Sequence, residues 1–153
     1  MELLLLLLGA LGSFFILICI VFYILKSIGL ATMAANKGID LPWLAWIPVA
    51  DLYIAGKIVG EMELFGFYFP NLALWVPVIF CGGAALSPIP VIGWLIAIGV
   101  FIFSIGFTYK LFEMYTEHAT LFTILSIFLC LWPVFVFVIR NNKPRDPFIN
   151  INK

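Results

Sequence analysis

The chain has 153 residues, of which 65% are hydrophobic and 10% charged, with 8 basic and 8 acidic side chains and no formal net charge; its mean hydropathy is +1.20. A soluble domain is about half apolar and about a quarter charged, and at this size it still leaves roughly 30% of its surface in water, so the composition argues against a water-soluble globule. Charge balance likewise excludes the basic footprint of a nucleic-acid binder.

In hydrocarbon every backbone N–H and C=O must be satisfied internally, which leaves helices or a closed barrel. A barrel strand alternates in polarity over about ten residues, whereas the stretches here are continuously apolar. The expected fold is therefore all-α, a polytopic transmembrane helical bundle forming a single domain over residues 1–153. Residues 3–25 carry no charge and open with six leucines. As a helix they measure about 35 Å, enough to cross a hydrocarbon core of ~30 Å. Only Glu2 precedes them as a charge, whereas a cleaved leader would begin with basic residues and have a shorter apolar stretch, so a retained span is expected.

The mildly polar stretch 26–40 continues that helix, and Lys37-Gly38 offers a stop with glycine in the left-handed position. Asp40 and Pro42 then suit the N-cap and first turn of a second helix. This helix, 41–60, contains Pro48, Asp51 and Lys57. Pro48 removes the bond to the carbonyl of Leu44 and kinks the helix; the alternative is a re-entrant segment. Residues 71–86 and 91–109 are apolar on either side of Ser87-Pro88-Ile89-Pro90, which reads as two spans and a tight turn. A last span, 120–139, leads into a polar tail, 140–153.

Charge placement selects the topology. With five crossings Lys26, Lys37, Arg140, Lys143, Arg145 and Lys153 share one side against Lys57 and Lys110, whereas four crossings plus a re-entrant segment divide the basic residues evenly. Basic residues accumulate on the cytoplasmic side, so five spans are expected, with the N-terminus outside and the C-terminus cytoplasmic. Phe65, Phe67, Tyr68, Phe69, Tyr109, Phe112 and Tyr115 would form an outer aromatic belt.

Within residues 34–57, Lys37-Gly38 leads into Trp43-Leu44-Ala45-Trp46-Ile47-Pro48, then Asp51, Tyr53 and Gly56-Lys57. This segment resembles a signature of small, uncharacterised bacterial multi-spanning membrane proteins. The resemblance implies a bacterial plasma membrane, and it carries over no catalytic residue. The later spans depart from it, because they lack a second Ile-Pro segment of this type.

Asp51 is the foremost candidate residue, since an ionisable group inside a span is expensive and by default functional. Lys57 lies about 120° around the helix from it, a poor intrahelical partner. Asp51 is expected to act as interhelical polar glue or to repair backbone freed by Pro48, with proton or ion handling as the sharper alternative. Glu113 and Glu117, four apart, would share a helical face, and His118 could join them around a cation, although a hydrated loop is the plainer reading there and at Glu61 and Glu63. Gly93, Ala97 and Ser104 suggest a small-residue packing face. Cys19, Cys81 and Cys130 lie in apolar stretches and read as packing residues. No nucleotide, zinc-protease or hydrolase signature occurs.

These features point to a non-enzymatic integral membrane protein without metal or cofactor. It would act through helix packing, as an accessory subunit of a membrane complex or as a homo-oligomer. Its partners would be the lipid bilayer and other membrane subunits or copies of itself, with no nucleic acid. The alternative is a small ion or solute channel or transporter built of several copies, with Asp51 or the break at Pro48 lining the path.

Overall fold

The computed structural model describes residues 1–145; residues 146–153, the end of the polar tail and with it Lys153, lie outside the described residues. Among the described residues the chain forms six helices, a short 3-10 turn and one two-stranded hairpin, so the all-α class stands. Two helices are long and apolar enough to cross a membrane, α1 over Leu6–Asn36 and α4 over Ile92–Tyr115.

Helix α1 (Glu2–Asn36) has 35 residues, about 52 Å at 1.5 Å per residue. Its amino-terminal half stands apart: Leu6, Leu11, Phe14 and Leu17 are exposed, and nothing lies within 4 Å of a Cβ built on Gly9 or Gly12. Its carboxyl-terminal half buries Ser27, Leu30, Met33 and Ala34 against the elements that follow. The helix ends as its sequence predicts, with Gly38 at φ 69° and the Ile39 N–H bonded to the Ala34 carbonyl at 2.9 Å.

Residues 37–59 leave the Asn36 end, run back along α1, and return. A 3-10 turn (Pro42–Trp46) carries the chain to mid-helix, where the Tyr23 hydroxyl donates to the Trp46 carbonyl. Helix α2 (Ala50–Val59) then runs beside α1 in the same direction. Asp51 at its start meets Lys26, and near its end the Ile58 carbonyl accepts from Lys37 Nζ at 2.5 Å. The expected kinked helix over 41–60 is thus corrected to two pieces with a reversal. Its cause is local: the residue before a proline is driven out of the helical region, and Ile47 is extended at φ −102°, ψ 123°. Asp40 makes no cap either, since Leu41 takes that position at φ 59° with no side-chain bond.

A hairpin follows, β1 (Met62–Leu64) pairing antiparallel with β2 (Phe67–Phe69). Its two turn residues, Phe65 and Gly66, have φ of 51° and 83°, the positive pair that matches the twist of adjoining strands. The sequence reading has an irregular loop here. Helix α3 (Leu72–Leu86) begins where α2 ends, with the Leu72 N–H bonded to the Gly60 carbonyl at 2.9 Å. Gly56 is what lets these helices touch: a Cβ there would lie 2.2 Å from the Leu72 oxygen. Helix α4 (Ile92–Tyr115) returns antiparallel to α3, and Gly83 admits Val100 between them.

The expected final span, 120–139, is also two pieces. Helix α5 (Ala119–Leu129) stops at Cys130, whose φ of 52° is left-handed, and α6 (Trp132–Ile139) starts with Pro133 in its first turn. Phe112, Phe122 and Phe135 pack together, the last two with ring centroids 4.4 Å apart. Beyond α6 the Asn142 side chain donates to the Tyr115 carbonyl at 2.9 Å, and the Arg145 N–H bonds to the Met114 carbonyl at 2.7 Å. Residues 116–142 therefore begin and end beside Tyr115. The buried core lies at this end, where Leu30, Ile54, Ile58, Leu72, Leu111, Phe112 and Val136 meet.

Candidate functional site

Both chain reversals point the same way. The tip of the first is Trp46 and Asp51, beside Tyr23 and Lys26; the tip of the second is Trp132. They meet around a cavity of about 240 Å³ to which α1 contributes Lys26 and Leu30, α2 Asp51 and Ala55, α3 Phe80, α4 Ser104 and Thr108, and α6 Trp132. Lys26 lies 10 residues before the end of α1, so the cavity sits about 15 Å along the helix from the Asn36 end.

The cavity's charges are paired. Lys26 Nζ donates to Asp51 Oδ2, and the Asp51 residue is only 6% exposed. The second oxygen, Oδ1, accepts from the Leu52 backbone N–H at 2.8 Å. Lys26 is held further by the Tyr23 ring, whose centroid is 4.9 Å from the ammonium, a contact that favours the cation. Trp132 lines the cavity, and its Nε1 is buried without a hydrogen-bond partner. Ser104 Oγ donates to the Phe101 carbonyl at 2.8 Å.

A second cavity, about 710 Å³ and open, lies at the Asn36 end and gathers the loop charges: Glu61, Glu63, Lys110, Glu113, Glu117 and Arg145. Arg145 pairs with Glu117 and Lys110 with Glu113, each at 3.0 Å. Tyr68 donates to Glu61, and that bond to a carboxylate pushes the phenol up from its usual value, with burial and the Glu61 charge adding to it. Desolvation pulls the Lys37 ammonium down from its usual value.

The residues singled out in the sequence separate on this structure. Asp51 is at the site, paired with Lys26 from another helix. Lys57 turns away, its ammonium 5.5 Å from the Tyr53 ring centroid. Pro48 lies in the break before α2. Gly93, Ala97 and Ser104 follow one side of α4 but meet different surroundings: Gly93 backs onto the Ser87 carbonyl, where a Cβ would sit at 2.2 Å, Ala97 is exposed, and Ser104 lies at the cavity. Glu117 falls beyond the end of α4, so it shares no helical face with Glu113, and the two pair with different cations. Cys19, Cys81 and Cys130 are exposed free thiols, on outer faces rather than in packing positions.

Sequence reasoning missed Lys26 and Trp132. The only signal for Lys26 was that an unpaired Asp51 requires a cation from elsewhere; nothing in the pattern marked Trp132. No protein family, curated protein or solved structure matches the chain.

Proposed function

We propose that this is a multi-pass plasma-membrane protein that passes a small solute across the bilayer. In this reading α1, α3 and α4 cross, and residues 37–59 and 116–142 enter from one side and turn back. Lengths support it. Helices α2, α5 and α6 have 10, 11 and 8 residues, about 12–16 Å each, half of a hydrocarbon core of ~30 Å. Helix α3 is about 22 Å long at its 15 residues and relies on the 87–91 turn to complete its crossing. Lys37, Lys57, Lys110, Arg140, Lys143 and Arg145 then all lie toward one side, and the opposite loop, 87–91, has no basic residue. That distribution makes the Asn36 end cytoplasmic and the N-terminus external. The resemblance of residues 34–57 adds a bacterial membrane.

One observation carries the transport reading: two broken hairpins bring Lys26, Asp51 and Trp132 around a single cavity at half depth. Broken backbone within a membrane is tolerated where it is buried or lines a cavity, and it is there that transporters hold their cargo.

The test has two arms. In a background with Cys19, Cys81 and Cys130 replaced by Ala, single cysteines at Glu63, Glu117 and Arg145 should be labelled by an impermeant thiol reagent only from the cytoplasmic side, and one at Ser87 only from outside. Labelling of Glu117 and Arg145 from opposite sides would make 120–139 a crossing and end the three-crossing arrangement. In proteoliposomes, solute flux that Asp51→Asn leaves untouched would end the transport reading. A packing role in a complex or homo-oligomer is favoured by one feature, the bare apolar half of α1, and a strictly monomeric, partner-free protein in mild detergent counts against it.

A further inference from the structure

We infer that the mid-depth cavity is a binding site for a small zwitterion, such as an amino acid, whose two charges replace those of the Lys26–Asp51 pair. This inference rests on the membrane-embedded reading above and names its cargo. The two charges lining the cavity are Lys26 and Asp51, so the cavity is neutral as a whole. A lone ion entering it would bring an uncompensated charge into a medium of low dielectric, at a cost of several kcal/mol. A zwitterion brings none. Its carboxylate takes the Lys26 ammonium and its ammonium takes Asp51 Oδ2, and every charge stays paired throughout the exchange.

The other groups present fit the same ligand. Trp132 lines the cavity beside the ion pair and gives the ligand an aromatic wall. Thr108 lies on the same wall, while Leu30, Ala55 and Phe80 give an apolar floor. The space, about 240 Å³, equals roughly eight waters at ~30 Å³ each. That suits a molecule of a few heavy atoms.

The experiment uses the full chain in detergent, with L-alanine, propionate, ethylammonium and glycerol as probes, read by calorimetry and by the shift in melting temperature. L-alanine should bind and raise the melting temperature, with at least tenfold tighter binding than any other probe. Asp51→Leu alone is expected to fold poorly, so the informative variant is Lys26→Met with Asp51→Leu, which keeps the cavity neutral. It should melt like the parent without ligand and lose at least tenfold in L-alanine affinity. Trp132→Phe should weaken binding by a smaller factor. Absence of L-alanine binding, equal binding of propionate or glycerol, or unchanged affinity in the paired variant overturns the inference. Proteoliposomes separate it from the transport reading: binding without flux removes transport and keeps the site, and flux of solutes without zwitterion binding does the reverse.

Discussion

Breaking the Lys26–Asp51 pair one side at a time gives the most direct measure of what it does. Asp51→Leu leaves the Lys26 ammonium without a partner, and Lys26→Met leaves the carboxylate alone. Removing one member of a buried pair costs about 3–5 kcal/mol, whereas replacing both with apolar groups of similar size is often neutral. The Lys26 side chain retains 20% exposure against 8% for Asp51, so water softens the loss and the lower end applies, about 3 kcal/mol for each single change. The double variant should return to within ~1 kcal/mol of the parent, which against two single losses of about 3 kcal/mol is a coupling of about 5–6 kcal/mol in a double-mutant cycle. Reversible unfolding in mixed micelles, followed by helical circular dichroism, measures all four proteins. Additive losses, with the double variant the weakest, would refute a paired, desolvated contact and with it the placement of α2 beside α1.

Three further outcomes follow from other parts of the chain. Gly56→Ala drives a Cβ to 2.2 Å from the Leu72 carbonyl and should cost about 2–3 kcal/mol by forcing α2 from α3, while Gly9→Ala, in open space, should stabilise by up to ~1 kcal/mol; thermal unfolding that ranks them otherwise contradicts the α2–α3 contact. Val49 sits at φ 74°, strained for a β-branched residue, so Val49→Gly should raise stability by about 1 kcal/mol, and a lower melting point would show that the Val49 side chain matters more than its backbone. Tyr68, raised above the ordinary phenol value of 10.0 by Glu61, holds the hairpin fully below pH 10 and lets it loosen as pH climbs through the raised value. Ultraviolet titration against Tyr68→Phe should show one phenol ionising late, and Glu61→Gln should bring it back toward 10.0.

Much of the helical content is legible in the sequence because it depends on composition alone. The uncharged stretch that opens with six leucines, the glycine stop at Gly38, and the two apolar arms around Ser87 each correspond to an element in place. Direction is what the sequence does not carry. An apolar stretch of twenty residues has the same hydropathy whether it goes through or turns back, so 41–60 and 120–139 both read as crossings. Charge counting weighs five spans against four and not two reversals at once, the arrangement proposed above, which gathers the loop and tail cations on one side. The reversals themselves are set by Ile47 before Pro48 and by Cys130 at φ 52°, and cysteine is no recognised left-handed residue. The candidate site was half visible. Asp51 stood out as a buried carboxylate, but its partner came from a residue that looked like the edge of a span.

The two tips solve the same problem by different means, and this explains why the charged pair sits at the first. On the membrane-embedded reading proposed above, each reversal frees backbone groups that have no water to turn to. At the first tip side chains answer for them: the Tyr23 hydroxyl serves the Trp46 carbonyl, Asp51 Oδ1 serves the Leu52 N–H, and Lys37 serves the Ile58 carbonyl at the base. A carboxylate at the tip is then structural in one oxygen and available in the other, and Lys26 balances the charge that the structural use brings in. The second tip compresses its break to Cys130 and Leu131, and Pro133 has no N–H to satisfy. It needs no charge, and it sets Trp132 at the cavity wall. A site with one fixed ion pair and an aromatic wall is thus a consequence of how the backbone is reversed twice.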